Sequence, residues 1–255
     1  MPQPPGVGSV AFIANLYSQP AHFIVRRDAG IESPADLKGK TVNLGLKLSG
    51  NYARSLVLLQ HFGLDENSID AKYLGFPKIK EGFLDDTLDA AFITLGVQAP
   101  IFPELFATGK CDILSIPYAE ALTAKHFTMS QYKIPAGLYR YQTPAAPATE
   151  IHTVALGAQL LTRSDVHAGL VEEVTKLVLS EAFTKKNQLA ELFAGGLQFA
   201  QEKAEFAVHR GAERVYDPDP RPLLPADFVD ATEGIRSLIF SVLIAAFLGV
   251  RWLRR

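Results

Sequence analysis

Strand-like runs alternate with helical patterns from residue 41 to residue 127, and this alternation leaves few folds open to the chain. Each short apolar run is followed, across a break at small or turn-forming residues, by a helix-type spacing of apolar side chains. The predicted strands cover residues 41–46, 71–76, 89–94 and 111–117, and the predicted helices cover 50–62, 77–85 and 118–127. Strands that alternate with helices in this way predict a parallel sheet in an α/β layer architecture.

The flanking segments add further strands, a connection and more helices. Two β-rich runs near the N-terminus, SVAFIANLY and AHFIVRR, are separated by Ser18-Gln19-Pro20, which predicts two strands joined by a turn. Ser33 and Pro34 are predicted to open a short helix that Gly39 ends. Beyond residue 130 the pattern predicts a connecting loop over 133–149, a strand over 152–162, a helix capped by Ser164 and a second helix over 185–194.

The composition argues against several classes of function. The 255 residues carry a formal net charge of −2, which gives no reason to expect a nucleic-acid partner. The single cysteine, Cys111, excludes an internal disulfide framework, and the six histidines lack metal-ligand spacing, so we expect neither a metal nor a cofactor. The stretch GVGSVA matches a dinucleotide fingerprint only formally, and no carboxylate pair stands out. The chain is therefore not predicted to be an enzyme.

The C-terminal region predicts a membrane anchor. An uncharged run, residues 237–250, is bracketed by Arg236 and Arg251, which can snorkel and lengthen the usable apolar segment. The alternative is a buried terminal helix. The basic tail places the anchor's end on the cytoplasmic side, so the large N-terminal part would face outward. MPQPPGVGSV does not read as a signal peptide, which leads us to expect either a cytoplasm-facing tail anchor or a missing N-terminal segment.

Two strand ends carry the features of a small-anion site. Ser49, Gly50 and Asn51 form a turn at the start of a predicted helix, where backbone N–H groups can hold a carboxylate. Thr94 ends another predicted strand, and ligands of open α/β sheets lie outside the carboxyl ends of strands. The pattern alone favours the plainer interpretations, in which Ser49 is a helix cap and Thr94 is an ordinary β-branched strand end.

Five segments, taken in order, resemble the TAXI family of TRAP-transporter solute receptors. They are AHFIVRRDAGIESPADLKGKTVNLGLKLSGN, LDAAFITLGVQAP, KIPAGLYRYQ, HTVALGAQLLTRSDV and AVHRGAERVY. The resemblance covers residues 10–216. It implies a type II periplasmic-binding fold, in which two α/β lobes hinge around a cleft, and a receptor that hands a small acidic solute to a membrane permease.

The resemblance also implies a set of ligand-binding residues. Ser49 and Gly50 match the family's Ser-Gly, and Asn51 stands where the family has threonine. The remaining matches are Thr94, Gly96, Tyr17 and Tyr139, of which Tyr139 can also be a structural tyrosine of the core or a loop. Nothing in the chain corresponds to the family's first strands and helices of lobe one, so we expect lobe one to be incomplete.

These inferences predict five regions. They are a remnant of lobe one with the hinge strand (1–26), a complete lobe two (27–150), the return strand and C-terminal helices of lobe one (151–216), a proline-rich linker (217–232) and a transmembrane anchor (233–255). The predicted function is an extracytoplasmic receptor, held at the inner membrane, that captures a small carboxylate such as glutamate or a dicarboxylate for a TRAP permease. The alternatives are an enzyme on the same fold, or a regulatory partner of a membrane complex that binds no solute.

Overall fold

The computed structural model describes residues 9–218, and a mixed sheet forms its centre. The strands are β1 (Val10–Arg26), β2 (Thr41–Asn43), β3 (Asp70–Lys72), β4 (Ala90–Thr94), β5 (Cys111–Leu114), β6 (Met129–Ile134) and β7 (Ile151–Arg163). They lie in the order β3-β2-β4-β1-β7-β6, with β5 also paired to β1. The parallel arrangement predicted from the sequence holds for β3, β2 and β4, whereas β1 runs antiparallel to β4, β5 and β7.

The N-terminal region forms one strand, so the prediction of two strands joined by a turn is wrong. From Val10 to Pro20, β1 pairs with β7, and from Ala21 onward it pairs with β4 and β5. Proline has no backbone N–H and breaks a ladder where that donor is needed. Pro20 lies where the strand changes partners, and its carbonyl oxygen accepts the N–H of Leu95 at 3.3 Å, so the strand continues through it.

The helices follow the sequence pattern closely in the middle of the chain. They are α1 (Gly50–His61), α2 (Phe76–Leu84), α3 (Ile101–Ala107), α4 (Ala119–Lys125), α5 (Ala168–Leu179), α6 (Glu181–Lys186), α7 (Ala190–Gln201) and α8 (Arg210–Tyr216). The predicted helices over 50–62, 77–85 and 118–127 are confirmed as α1, α2 and α4. The short helix predicted after Ser33 is a 3-10 turn, Pro34–Leu37.

The predictions near the C-terminal helices need correction. Ser164 does not cap a helix: its N–H donates to the carbonyl of Ser9 at 2.7 Å, which extends the β1–β7 ladder, and α5 begins only at Ala168. The helix predicted over 185–194 is divided between α6 and α7, because Gln188 adopts a left-handed backbone conformation with φ of 54°. Strand β6 was not predicted.

The two faces of the sheet bury separate apolar clusters. Phe23 on β1 and Phe92 on β4 point to the face covered by α1, where they pack with Leu58 and Leu59. Their neighbours Ile24 and Ile93 point to the opposite face, which α2 and α3 cover. Because successive side chains of a strand alternate between faces, Thr94 falls on the α1 face and Leu95 on the other.

The described residues up to Ala212 form one compact unit, and Glu213 begins a second, of which residues 213–218 are described. No helix within residues 9–218 is long and apolar enough to cross a membrane. The predicted anchor, residues 233–255, lies outside the described residues, as does the predicted linker apart from Asp217 and Pro218.

Candidate functional site

The start of α1 presents two unpartnered backbone donors. Ser49 is the helix cap, and its Oγ accepts the N–H of Tyr52 at 3.1 Å, while its own N–H donates to the carbonyl of Leu46 at 3.0 Å. The N–H groups of Gly50 and Asn51 find no acceptor among residues 9–218, as geometry requires for the first turn of a helix. The hydroxyl of Ser49 therefore caps the helix, and the free donors are those of the two residues that follow.

Asn51 joins α1 to the ends of two strands. Its Oδ1 accepts the N–H of Thr94 at 2.7 Å, and its Nδ2 donates to the carbonyls of Phe92 at 2.9 Å and Leu44 at 3.2 Å. Gly45 makes room for the amide, since a Cβ there would lie 2.5 Å from Nδ2. The N–H of Thr94 is thus occupied, and the Asn51 side chain fixes the start of α1 to the ends of the two strands.

A cavity of about 180 Å³ opens beside this helix start, and we call it the polar cavity. Its lining includes Gly50, Asn51, Arg54, Thr94, Gln159 and Glu205. Arg54 lies one turn after Gly50 on the same helix face, and its guanidinium meets no carboxylate or other partner among the described residues. Two free N–H groups, the positive end of α1 and an unpaired guanidinium together favour a small anion.

A second cavity, of about 300 Å³, lies on the other face of the sheet, and we call it the apolar cavity. Its lining includes Tyr17, Leu95, Gly96, Tyr132, Leu189 and Glu191. Gly96 lets the Tyr17 ring approach closely, since a Cβ at Gly96 would lie 2.9 Å from Cε2 of that ring. Burial, together with the neighbouring carboxylate of Glu191, raises the pKa of Tyr132 to about 12.

The structure therefore distributes the residues expected to bind ligand over two places. Gly50, Asn51 and Thr94 line the polar cavity, whereas Tyr17 and Gly96 line the apolar one. Thr94 and Leu95 are consecutive, so their side chains leave the strand on opposite faces. The hydrogen bond from Leu95 to Pro20 closes the β1–β4 ladder between the two cavities.

Tyr139 lines neither cavity. Its hydroxyl lies 2.5 Å from Nε2 of His22, and its ring stacks on Phe106 at a centroid distance of 5.3 Å. Burial lowers the pKa of His22 to about 4, although its Nδ1 also contacts the carbonyl of Ile93 at 3.1 Å. The contacts of Tyr139 are those of a structural tyrosine.

Sequence reasoning missed several lining residues. Arg54 could have been found, because a residue four positions after Gly50 shares its helix face. Gln159, Glu205 and Glu191 lie far away in sequence and carry no motif, so only the tertiary fold brings them to the cavities. Among residues 9–218, no group of three His, Cys, Asp or Glu side chains is placed to hold a metal ion.

Several solved binding proteins share structural similarity with the chain. The periplasmic aliphatic sulphonate-binding protein SsuA from Escherichia coli has 15% identity and a TM-score of 0.43, with 92% of this chain and 65% of that chain covered. A substrate-binding protein of an ABC uptake transporter from Streptococcus pneumoniae, with bound histidine, has 14% identity and a TM-score of 0.44. The match covers 76% of this chain and 64% of that chain. MatC from Rhodopseudomonas palustris, with bound malate, has 12% identity and a TM-score of 0.42. The match covers 71% of this chain and 59% of that chain.

The chain spans less than two thirds of the length of each of these three proteins. A family model describes most of the chain: the model of the NMT1-like family matches residues 5–217. That match runs from before β1 to the end of α8 and so includes every residue that lines the two cavities. The chain therefore belongs to the NMT1-like family.

Proposed function

We propose that the chain is an extracytoplasmic solute-binding receptor of a TRAP-type secondary transporter, and that it captures a small carboxylate such as glutamate or a dicarboxylate. Binding occurs at the polar cavity by closure of the cleft and involves no covalent chemistry. The observation that carries the proposal is the unpaired guanidinium of Arg54 beside the two free N–H groups of Gly50 and Asn51.

These groups are suited to a carboxylate for a physical reason. An arginine side chain can donate two parallel hydrogen bonds to one carboxylate, and bonds to a charged acceptor are about twice as strong as neutral ones. Backbone N–H groups at a helix start add donors that are already oriented and need no side-chain ordering. A ligand carboxylate would give Arg54 the anionic partner that no side chain of residues 9–218 supplies.

The test is isothermal titration calorimetry with glutamate and with succinate. We expect Arg54→Gln to weaken binding by about ten- to a hundredfold, because it removes a charge-assisted contact. Lys125→Gln is the matched control, since it removes one exposed cation of α4 that lines neither cavity, and it should leave the affinity unchanged. Equal affinities for the wild type and Arg54→Gln would refute the assignment of the site.

The location and the transporter are tested separately. We expect protease added to intact spheroplasts of the native host to digest the protein, and we expect TRAP permease subunits to co-purify with it only when the carboxylate is present. Turnover of the bound carboxylate would favour an enzyme on this fold. Co-purification with a membrane complex in the absence of any solute would favour a regulatory partner.

A further inference from the structure

The apolar cavity contains a carboxylate with no cationic partner. Glu191 lies in the first turn of α7 and is half-buried at the cavity wall. Among residues 9–218 it meets no Lys, Arg or His side chain. Withdrawing a carboxylate from water without a counter-charge is costly, so an unpaired one in an apolar cavity favours a positively charged ligand.

The protein holds this carboxylate in place without neutralising it. Oε2 accepts the backbone N–H of Ser18 at 2.5 Å, and the phenol of Tyr132 lies beside it on β6. The first turn of a helix also favours a negative side chain. An ionised carboxylate offers about four acceptor positions, so these contacts leave room for donors from a ligand.

The rest of the cavity is suited to an apolar group. Leu95, Val97 and Leu189 contribute aliphatic surface, and the Tyr17 ring approaches Gly96 closely because Gly96 has no side chain. At about 300 Å³ the cavity has the size of a small-molecule site, and Glu191 is the one ionisable carboxylate in its lining. An apolar wall with a single carboxylate fits a molecule that is apolar except for one cationic group.

We propose that the apolar cavity is a second binding site, which takes a primary amine with an apolar or aromatic body. The amine donates to Glu191, and its body lies against Tyr17 and Leu189. This site goes beyond the carboxylate receptor proposed above and does not depend on it, since the two cavities share no lining residue and lie on opposite faces of the β1–β4 ladder.

The probes are phenethylamine and its neutral analogue 2-phenylethanol, titrated calorimetrically at neutral pH and millimolar concentration. We expect saturable binding of phenethylamine and binding of 2-phenylethanol that is weaker by about tenfold or more, because only the amine is charged. Equal affinities for the two probes, or no binding of phenethylamine, would overturn the proposal.

Variants separate this site from the polar cavity. Glu191→Gln keeps an acceptor for Ser18 and should weaken phenethylamine binding by about tenfold or more while leaving succinate binding unchanged. Arg54→Gln should weaken succinate binding and leave phenethylamine binding unchanged. Glu32→Gln, which removes an exposed carboxylate outside both cavities, should change neither. If the wild type and all three variants bind phenethylamine as expected but none binds succinate, only the carboxylate receptor is rejected. If Glu191→Gln binds phenethylamine as tightly as the wild type, the second site is rejected.

Discussion

Ser49 and Gly50 lie next to each other at the start of α1 but contribute differently. The hydroxyl of Ser49 accepts an N–H of the helix itself, so its contribution is to stability, by about 1 kcal/mol for a cap of this kind. Gly50 lines the polar cavity and has a backbone N–H with no acceptor among residues 9–218, and a Cβ added there would meet open space. At the residue scale, one of the donors that we propose for the carboxylate is therefore a main-chain group, which a side-chain substitution does not remove.

Proline at position 50 isolates that group. Proline is tolerated at the first position of a helix but has no N–H, so Gly50→Pro removes one donor and keeps α1. We expect it to weaken succinate binding by about tenfold. Gly50→Ala keeps the donor and should bind as the wild type does, and Ser49→Ala should lower the melting temperature without a comparable loss of affinity. Titration calorimetry at one pH measures the affinity of each of the three variants for succinate, and thermal denaturation measures their melting temperatures. Binding of succinate by Gly50→Pro as tight as by Gly50→Ala would contradict the prediction.

Gly96 has a steric role at the apolar cavity. A methyl group there would lie 2.9 Å from the Tyr17 ring, so in Gly96→Ala the ring must move. We expect this variant to lose about 1–2 kcal/mol of stability, as overpacking does, and to bind phenethylamine less tightly. Urea denaturation and calorimetry measure the two effects. Gly50→Ala, where the added methyl meets open space, is the control, and equal behaviour of the two variants would count against the steric role.

At the element scale, Asn51 determines how α1 meets the sheet. Its side-chain amide accepts one hydrogen bond from the end of β4 and donates one to it. The same amide also donates to the carbonyl of the residue that follows β2. The helix start is thereby held at the carboxyl ends of two parallel strands, where a ligand can approach it. A threonine at this position would have one O–H to donate and could not bond to both carbonyls as the Asn51 amide does.

Asn51→Ala should therefore destabilise the whole unit. The buried carbonyl of Phe92 and the N–H of Thr94 would each lose a partner, and an unsatisfied buried group costs about 1–3 kcal/mol. We expect a total loss of about 2–4 kcal/mol, measured from the urea midpoint. Gln60→Ala changes an exposed amide on the same helix and should be nearly neutral. A loss in Asn51→Ala no larger than in that control would show that the three bonds do not hold α1.

At the scale of the whole molecule, β1 links the two parts of the sheet and carries a buried titratable group. His22 is fully buried between Tyr139 and Phe102, whose ring stacks on it at 3.9 Å. Burial lowers its pKa from 6.5 to about 4, so in the folded protein it is neutral over a range where an unfolded chain would take up a proton. Acid therefore lowers the free energy of unfolding through a histidine at the centre of the fold.

The sign of the pH dependence follows from this lowered pKa. The contribution of His22 to stability is complete above pH 6.5 and is lost as the pH falls toward about 4, where the unfolded state binds one proton more than the folded state. A shift of this size corresponds to about 3 kcal/mol. We expect His22→Gln to remove this part of the acid sensitivity in urea denaturation, and His152→Gln, at an exposed histidine, to retain it. Parallel pH profiles for wild type and His22→Gln would refute the assignment.

Particular elements show how far the sequence could be read. The start of α1 at Gly50 and the strand ending at Thr94 were predictable, because local propensity, capping and apolar spacing agree there. The unbroken β1 was not, because Pro20 is a turn signal in isolation and is tolerated only where the strand changes partners. Ser164 failed as a cap because its backbone pairs with Ser9 instead.

The sequence by itself determined the α/β alternation and the anion-suited helix start, since both depend on residues within a few positions of one another. The tertiary structure alone decided that the expected ligand residues divide between two cavities, because consecutive residues such as Thr94 and Leu95 leave a strand on opposite faces. It also decided which distant side chains complete each cavity: Glu205 joins Arg54 on one face, and Glu191 joins Tyr17 on the other. These side chains meet because strands far apart in the sequence pair with one another, and no local sequence pattern encodes that pairing.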